Sequence, residues 1–310
     1  MFKGLSKLLI CGGHAPYTDT CEVINLASSA STCKNPPNCP AKVYAAIGGL
    51  GFKGNPILCG GWQNDAESDK CYSLENNEWV SSASMNSERS FAAAGQSQDG
   101  KLLVTGGEDG SFHSLNSAEM LTERGWESNI PSLPVTIYDH CMITVNSTTV
   151  MVIGGRQNRQ DSGKTFFFTF GEESWTEGPE LKTKRGGHSC GKIRRNKESQ
   201  EMSIIVAGGW DGSSRLSSVE ILDEGSNDWQ TGPELPFLIY ASQMVEDQNG
   251  GIVLIGGESS SAGTLYQLDT LYQLPHGGQD AVWTKMEQKM KTGRRYHIAF
   301  LVPDNIVDCS

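Results

Sequence analysis

The sequence predicts an all-β fold in which six repeated sheets close into a ring. Six times along the 310 residues a short apolar run ends in a Gly-Gly pair, and successive pairs lie 46 to 54 residues apart. A tryptophan follows 18 to 26 residues after five of the six pairs. The pairs are Gly12-Gly13, Gly60-Gly61, Gly106-Gly107, Gly154-Gly155, Gly208-Gly209 and Gly256-Gly257. Such regular self-similarity is typical of a repeat architecture.

Each repeat is predicted to hold four strands, and the fifth repeat shows the pattern most clearly. Residues 204–207 form an aliphatic strand that ends at its Gly-Gly pair, where a residue without Cβ fits. A polar turn follows at 210–213, residues 217–222 form the third strand, and Trp229 marks the fourth. A first strand precedes each Gly-Gly strand, as at 43–47, 91–94, 140–145 and 188–193.

The tryptophans and the C-terminus predict how the repeats assemble. A single sheet cannot bury both faces, so a large aromatic residue in the same slot is expected to pack between neighbouring sheets. These residues are Trp79, Trp126, Trp175, Trp229 and Trp283. The first repeat lacks its own first strand because only residues 1–7 precede its Gly-Gly strand. We expect residues 296–301 to supply that strand and to close the ring.

The Gly-Gly pairs in register with five tryptophans resemble the kelch family over nearly the whole chain. The family's arginine and histidine before the first strand appear as Arg185 with His188 and as Arg294 with His297, and partly as Arg89. The resemblance implies one domain, 1–310, folded as a six-bladed β-propeller of four-stranded blades. Its Gly-Gly strands end near residues 13, 61, 107, 155, 209 and 257, and the C-terminal strand joins the first blade.

Two cysteine pairs occur at repeated positions. Cys11 and Cys59 each stand immediately before a Gly-Gly pair, and Cys21 and Cys71 begin the strand that follows. The other four repeats lack both cysteines. Facing residues on antiparallel strands lie about 4.5 to 5.5 Å apart at Cα, which a disulfide tolerates. We therefore predict the disulfides Cys11–Cys21 and Cys59–Cys71.

The remaining cysteines are less regular. Cys33 and Cys39 flank a Pro-Pro loop and are predicted to form a third disulfide. Cys141 and Cys190 lie on neighbouring first strands and either pair or stay as buried thiols, of which we favour thiols. Cys309 is left over.

Composition limits the compartment and the partner. A disulfide framework favours an extracellular or secretory location, with a cytoplasmic location as the alternative. Asn146 begins a glycosylation sequon, so a secreted glycoprotein is expected. The net charge of −11 without a basic stripe argues against nucleic acid and against anionic membranes. No apolar run approaches the roughly 18 residues that span a bilayer. A monomer without a cofactor is expected.

The family resemblance implies a non-catalytic interaction module that binds a protein or peptide through loops at one mouth of the ring. No catalytic residue and no metal site is predicted. Arg185 and Arg294 are expected to bind a carboxylate of the partner. The predicted mouth residues are Arg89, Tyr138, His140, Arg185, His188, Tyr240, Arg294, Tyr296 and His297.

The alternative function is a carbohydrate-active enzyme with a pocket in the central funnel, of the radical-copper oxidase or sugar mutarotase type. Tyr296-His297 is similar to the adjacent tyrosine and histidine copper ligands of kelch-type oxidases. The histidines show no spacing that would enforce metal geometry, and the same two letters arise from the kelch pattern itself. We therefore favour the interaction module.

Overall fold

The computed structural model describes residues 5–14, 17–28, 33–51, 53–97, 99–261 and 264–309. The regular elements in these ranges are β-strands. Across the same ranges there is no helix whose length and apolar character would let it cross a membrane.

The strands are short, and most have two to six residues. From the N-terminus to the middle of the chain they are β1 (Lys7–Cys11), β2 (Cys21–Asn25), β3 (Val43–Tyr44), β4 (Ile47–Leu50), β5 (Pro56–Cys59), β6 (Trp62–Gln63), β7 (Ala66–Glu67), β8 (Cys71–Glu75), β9 (Glu78–Ser82), β10 (Ala93–Gln96), β11 (Leu102–Thr105), β12 (Ala118–Thr122), β13 (Gly125–Glu127), β14 (Cys141–Thr144) and β15 (Thr149–Ile153). The remaining strands are β16 (Arg156–Gln157), β17 (Gln160–Asp161), β18 (Thr165–Thr169), β19 (Thr176–Glu177), β20 (Ser189–Arg194), β21 (Met202–Ala207), β22 (Val219–Asp223), β23 (Gln230–Thr231), β24 (Gln243–Glu246), β25 (Ile252–Ile255), β26 (Glu258–Ser261), β27 (Thr264–Gln267), β28 (Thr270–Leu274), β29 (Thr284–Lys289) and β30 (Ile298–Val302).

Six antiparallel sheets each hold one Gly-Gly strand, and we number these blades 1 to 6 in the order of the Gly-Gly pairs. Blades 2 to 6 have the strand orders β4-β5-β8-β9, β10-β11-β12-β13, β14-β15-β18-β19, β20-β21-β22-β23 and β24-β25-β28-β29. Blade 1 has the order β2-β1-β30. Because β30 pairs with β1 through the register Leu9↔Phe300, the C-terminal strand completes the first blade. The predicted six-bladed β-propeller is confirmed, except that over the described residues blade 1 has three strands where four were predicted.

A closed ring of six backbone hydrogen bonds surrounds the central channel. Just before each first strand, one N–H donates to the carbonyl of the equivalent residue in the preceding blade, over 2.8 to 3.0 Å. All six residues have positive φ, between 51° and 60°. They are Ala45, Phe91, Asp139, Gly187, Ala241 and Tyr296. Since the bond from Ala45 ends on the carbonyl of Tyr296, the ring of hydrogen bonds closes between blade 2 and blade 1.

The five tryptophans connect neighbouring blades, as their repeated slot predicts. Each indole N–H donates to a backbone carbonyl of the preceding blade's outer region, over 2.8 to 3.0 Å. The acceptors are the carbonyls of Pro37, Ala83, Pro131, Pro179 and Pro233. Trp229 and Trp283 are buried, so their rings also exclude water from the contact between blades.

Four disulfides are present among the described residues. Two join Cys11 to Cys21 and Cys59 to Cys71, the pairs predicted from the sequence. These residues face each other in register between the second and third strands, with Cα atoms 4.2 and 4.1 Å apart.

The other two disulfides correct the sequence analysis. Cys33 pairs with Cys309 instead of Cys39, because the C-terminal tail returns beside blade 1 and sets the two residues opposite each other. Cys141 pairs with Cys190 where thiols were favoured, since first strands of adjacent blades converge near the channel. Cys39 is the free, buried cysteine.

Candidate partner-binding face

We define the mouth face as the end of the ring where second strands finish. It comprises the residue after each Gly-Gly pair, the turn that follows, and the crossover loop that enters the next blade. The six residues after the pairs are His14, Trp62, Glu108, Arg156, Trp210 and Glu258. Each pairs with the backbone next to one of the six ring residues, for example Trp62 with Tyr44 and Arg156 with Tyr138. The Gly-Gly pairs thus deliver six variable side chains to one surface.

Three side chains meet at the centre of this face. The hydroxyls of Tyr240 and Tyr296 lie 2.9 and 3.1 Å from Asp139 Oδ2, and they hydrogen-bond to each other. Asp139 belongs to blade 4 and Tyr296 to blade 1, which are opposite blades, so the contact crosses the channel axis. Burial raises the pKa of Asp139 against the opposing attraction of Arg156. Burial likewise raises the pKa of both tyrosines, which keeps them protonated as hydrogen-bond donors.

Three arginines of the mouth face bind carboxylates around this centre. Arg156 Nε lies 3.1 Å from Asp161 and its Nη1 lies 3.5 Å from Asp139. Arg295 Nη1 lies 2.6 Å from Glu258, and Arg215 contacts the other oxygen of the same carboxylate. The positive charges of Arg156, Arg215 and Arg295 are therefore each close to a negative one.

The predicted arginines Arg89, Arg185 and Arg294 lie in a layer beneath the mouth face, which corrects the sequence analysis. Their side chains are 0, 0 and 4 % exposed. Each guanidinium donates from Nη2 to a buried glutamate at 2.6 to 3.0 Å, and from Nη1 to the first carbonyl of a Gly-Gly pair at 2.7 to 2.9 Å. The partners are Glu119, Glu220 and Glu22. Burial of this kind keeps the three guanidinium groups out of reach of a partner's carboxylate.

The same glutamates hold the crossover loops, a role that sequence reasoning missed. Glu220 accepts hydrogen bonds from the backbone N–H groups of Lys182 and Thr183, at 2.7 and 3.0 Å. Glu22 accepts one from Lys291 N–H at 3.0 Å. We call these three Arg–Glu pairs the brace layer. A charged residue in the middle of an apolar third strand, repeated in every second blade, is the signal that could have identified them.

The three predicted histidines pack between blades, and all three also line a cavity of about 140 Å³ in the channel. A Cβ on Gly106, Gly154 or Gly256 would come within 2.7 to 2.9 Å of the imidazole of His140, His188 or His297. His140 Nε2 also lies 2.9 Å from Thr105 Oγ1. Burial first, and then the neighbouring brace arginine, lowers the pKa of each imidazole to about 3. The histidines are thus neutral packing residues at physiological pH.

The remaining predicted sites are separate. Tyr138 is buried and pairs through its backbone with Arg156. Asn146 is exposed in the turn between β14 and β15, at the opposite end of the ring from the mouth face. Over the described part of the chain, one group of three side chains has metal-ligating atoms close enough for an ion, namely Cys11, Cys21 and Cys39, and two of these form a disulfide.

A row of aromatic side chains crosses the mouth face from blade 1 to blade 3. Neighbouring ring centroids are 5.3 Å apart for Tyr17 and Tyr44, 6.1 Å for Tyr44 and Trp62, and 6.1 Å for Trp62 and Phe112. Phe112, in the turn of blade 3, is 56 % exposed. We call Tyr17, Tyr44, Trp62 and Phe112 the aromatic row.

Comparison with known proteins agrees with this architecture. The model of the Kelch motif matches residues 203–236. Kelch-like protein 41a of Danio rerio is 26% identical over 184 residues, and Kelch-like protein 41b of the same organism is 25% identical over 206 residues. The chain is thus similar to kelch-like proteins, and its fifth repeat matches the kelch motif itself.

The similarity to these kelch relatives is partial. The alignments cover 59% and 66% of this chain but 28% and 31% of the two relatives, so the chain spans about a third of their length. The solved structure of YjhT superposes with a TM-score of 0.74 over 91% of this chain and 95% of that one, at 14% identity. That likeness shows a shared fold.

Proposed function

We propose that this kelch chain acts as one interaction domain that binds a protein or peptide partner through its mouth face, without catalysis. The observation that carries the proposal is where exposed apolar side chains lie. Among the described residues, six large hydrophobic side chains are exposed, and Phe112, Leu238, Leu265 and Tyr266 are on the mouth face. The other two, Val80 and Val282, are on outer parts of blades. Clustered apolar exposure is typical of interaction surfaces.

The centre of the mouth face supports docking better than it supports a substrate pocket. Asp139, Tyr240 and Tyr296 bond to one another, so their polar groups are already satisfied within the chain. A cavity of about 140 Å³ lies below them in the channel, lined by the first strands. A carbohydrate-active site needs several polar groups that converge on an open pocket.

An oxidising, extracellular or secretory setting fits the proposal. Four disulfides join residues that the fold brings face to face. Such bonds persist in oxidising compartments. Asn146 is exposed, as a glycosylation acceptor must be.

The test compares two matched surface variants used as bait. Phe112→Ser with Leu265→Ser and Tyr266→Ser removes three of the four exposed apolar mouth residues, and Val80→Ser with Val282→Ser removes the two exposed apolar residues elsewhere. Proteins captured from cell extract and from the secreted fraction are quantified by mass spectrometry. We expect the captured set to be lost with the mouth variant and retained with the control. Equal capture by both variants, or mutarotase or oxidase activity of the purified chain, would contradict the proposal.

A further inference from the structure

We infer that the aromatic row on blades 1 to 3 binds a lysine- or arginine-containing segment of the partner. This inference rests on the proposed function and deepens it, because it names the chemistry of the partner. The occupant is a basic peptide segment whose cationic side chain lies on exposed Phe112 and half-buried Trp62, beside carboxylates.

The first support is the geometry of the aromatic row. Trp62 lies between Tyr44 and Phe112, and its ring is nearly parallel to that of Tyr44, at 10°. Tyr17 helps to hold the row in place, because its hydroxyl lies within hydrogen-bond distance of the carbonyl oxygens of Lys42 and Trp62, at 2.9 and 3.0 Å. Rigid aromatic rings with one face toward solvent attract ammonium and guanidinium groups through the ring quadrupole.

The second support is a set of carboxylates beside the row. Glu67 lies opposite Trp62 in the β6–β7 hairpin, and Glu108 begins the turn that carries Phe112. Glu88 lies against the same turn, since a Cβ on Gly110 would come within 2.6 Å of Glu88 Oε1. Within the described ranges, no lysine or arginine lies at ion-pair distance from Glu67, Glu88 or Glu108.

Neighbouring negative charges contribute to the raised pKa values of Glu67 and Glu108. Burial first, and then the negative charges of Glu88 and Asp109, raise the pKa of Glu67. Burial and the charge of Asp139 raise the pKa of Glu108, while Arg159 and Arg156 act in the opposite direction. Glu67 Oε1 is buried and has no hydrogen-bond partner among the described groups. A cation at this place would relieve like-charge repulsion and supply the missing donor.

The other half of the mouth face lacks this imbalance. Arg156, Arg215 and Arg295 offset the carboxylates of Asp139, Asp161 and Glu258 on blades 4 to 6. Glu67, Glu88 and Glu108, which have no such ion pair, lie next to the aromatic row. The net charge of −11 would in addition steer a basic segment toward the protein and an acidic one away from it.

The experiment selects ligands without assuming their sequence. Random dodecapeptides displayed on phage are selected against the wild-type protein, and the peptides recovered are synthesised with a fluorescent label. Their dissociation constants are then measured by anisotropy in low and high salt. Three variants are compared: Glu67→Gln with Glu108→Gln, Phe112→Ala, and Leu265→Ala with Tyr266→Ala. The matched control is Glu172→Gln with Glu173→Gln, which removes two exposed carboxylates at the turn between β18 and β19. Thermal unfolding checks that every variant is folded.

The inference predicts peptides enriched in lysine and arginine, bound about tenfold more weakly by the Glu67/Glu108 variant and by Phe112→Ala, at unchanged affinity for the control. Their binding should also weaken with salt. Peptides without basic enrichment that depend on Leu265 and Tyr266, and tolerate the Glu67/Glu108 change, would overturn the inference and leave the proposed function standing. Peptides insensitive to every mouth variant would overturn both.

Discussion

The protein carries two layers of arginines at the same end of the ring, and they differ in what they contact. In the brace layer, Arg89, Arg185 and Arg294 are 0 to 4 % exposed and bind buried glutamates and Gly-Gly carbonyls. On the mouth face, Arg156, Arg215 and Arg295 are 16 to 25 % exposed and bind carboxylates at the rim. Arg294 and Arg295 are adjacent in sequence, so one step along the chain separates a structural arginine from a surface one.

The blades also divide into two kinds. Blades 1, 3 and 5 hold the buried Arg–Glu pairs. At the same positions blades 2, 4 and 6 place the aliphatic residues Val43, Ile137 and Ile239, packed near Tyr72, Phe166 and Tyr272. A buried ion pair and an apolar contact can therefore occupy the same site between the crossover loop and the third strand. This agrees with the small net contribution of buried ion pairs to the free energy of folding. In blades 1, 3 and 5 the side chains at this site anchor the crossover loop, and their burial keeps them from contacting a partner.

The largest effect is expected from breaking the brace layer. Arg185→Ala with Arg294→Ala leaves Glu220 and Glu22 buried without a cationic partner, which costs about 3 to 5 kcal/mol for each broken pair. Chemical denaturation measures this loss. Binding of a selected peptide, counted per folded molecule, should be unchanged. Loss of binding with full stability would instead make these arginines recognition residues.

A replacement of the whole pair sharpens the same comparison. Arg185→Ile with Glu220→Phe gives blade 5 the residues that blade 4 has at Ile137 and Phe166. Because no buried charge is left alone, we expect this variant to recover most of the free energy of unfolding that Arg185→Ala loses. A double variant as unstable as Arg185→Ala would show that the two kinds of blade are not equivalent.

Gly187→Ala tests the centre of the mouth face. A Cβ at this position would lie 2.1 Å from the Tyr240 ring, and Gly187 has a φ of +60°. Overpacking adds about 1 to 3 kcal/mol to the left-handed strain of about 1 kcal/mol. Gly225→Ala is the matched control, with a φ of +75° and open space around the Cβ. Denaturation of both variants separates the two contributions, and equal losses would mean that Tyr240 moves freely.

The histidines beside the brace layer predict a pH dependence. Their pKa values are lowered to about 3 in the folded state, against 6.5 for an unperturbed histidine. Between these two values the unfolded chain binds more protons, so stability falls as the pH drops below 6.5. His188→Asn should reduce that fall by about 2 kcal/mol between pH 6.5 and pH 5. An unchanged pH slope would show that His188 is already protonated in the folded protein.

The smallest change in stability is expected from altering the Cys11–Cys21 disulfide of blade 1, which lies near the brace arginine Arg294. Cys39 Sγ is 3.3 Å from Cys21 Sγ, but burial raises the pKa of the Cys39 thiol to about 12. The thiol therefore stays protonated and unreactive while Cys11 holds Cys21. In Cys11→Ser we expect a Cys21–Cys39 disulfide after oxidation, with little change in the melting temperature. Non-reducing peptide mapping reports the bond, and two free thiols would contradict the geometry.

Much of the fold could be predicted because the glycines repeat where the backbone needs positive φ, and the tryptophans repeat where neighbouring blades contact each other. Gly12 and Gly208, for example, have positive φ and lie against backbone carbonyls, so the Gly-Gly pairs mark every second strand. The pairing of the C-terminal strand with blade 1 could be predicted because residues 296–301 resemble a first strand but no Gly-Gly strand follows them. Cys33–Cys309 could not be predicted in this way, because the path of the C-terminal tail beside blade 1 carries no local signal.

The site was harder to predict than the fold. Of the predicted mouth residues, Tyr240 and Tyr296 lie at the centre of the mouth face, whereas the arginines of the kelch pattern lie beneath it. The sequence identifies an arginine as charged but does not tell which residue it will contact. The partner of Arg185, for example, is Glu220, which lies 35 positions later. The aromatic row has no fixed spacing, since its residues come from three blades and meet only when the ring closes.

The most direct test of the two-layer account is arginine footprinting of the native protein. Phenylglyoxal modifies accessible guanidinium groups, and mass spectrometry gives a rate for each arginine. We expect Arg156, Arg215 and Arg295 to react, and Arg89, Arg185 and Arg294 to stay unmodified until the protein is unfolded. The neighbours Arg294 and Arg295 provide the internal control, because they share one peptide. Modification of Arg294 at the rate of Arg295 in the folded protein would contradict the account.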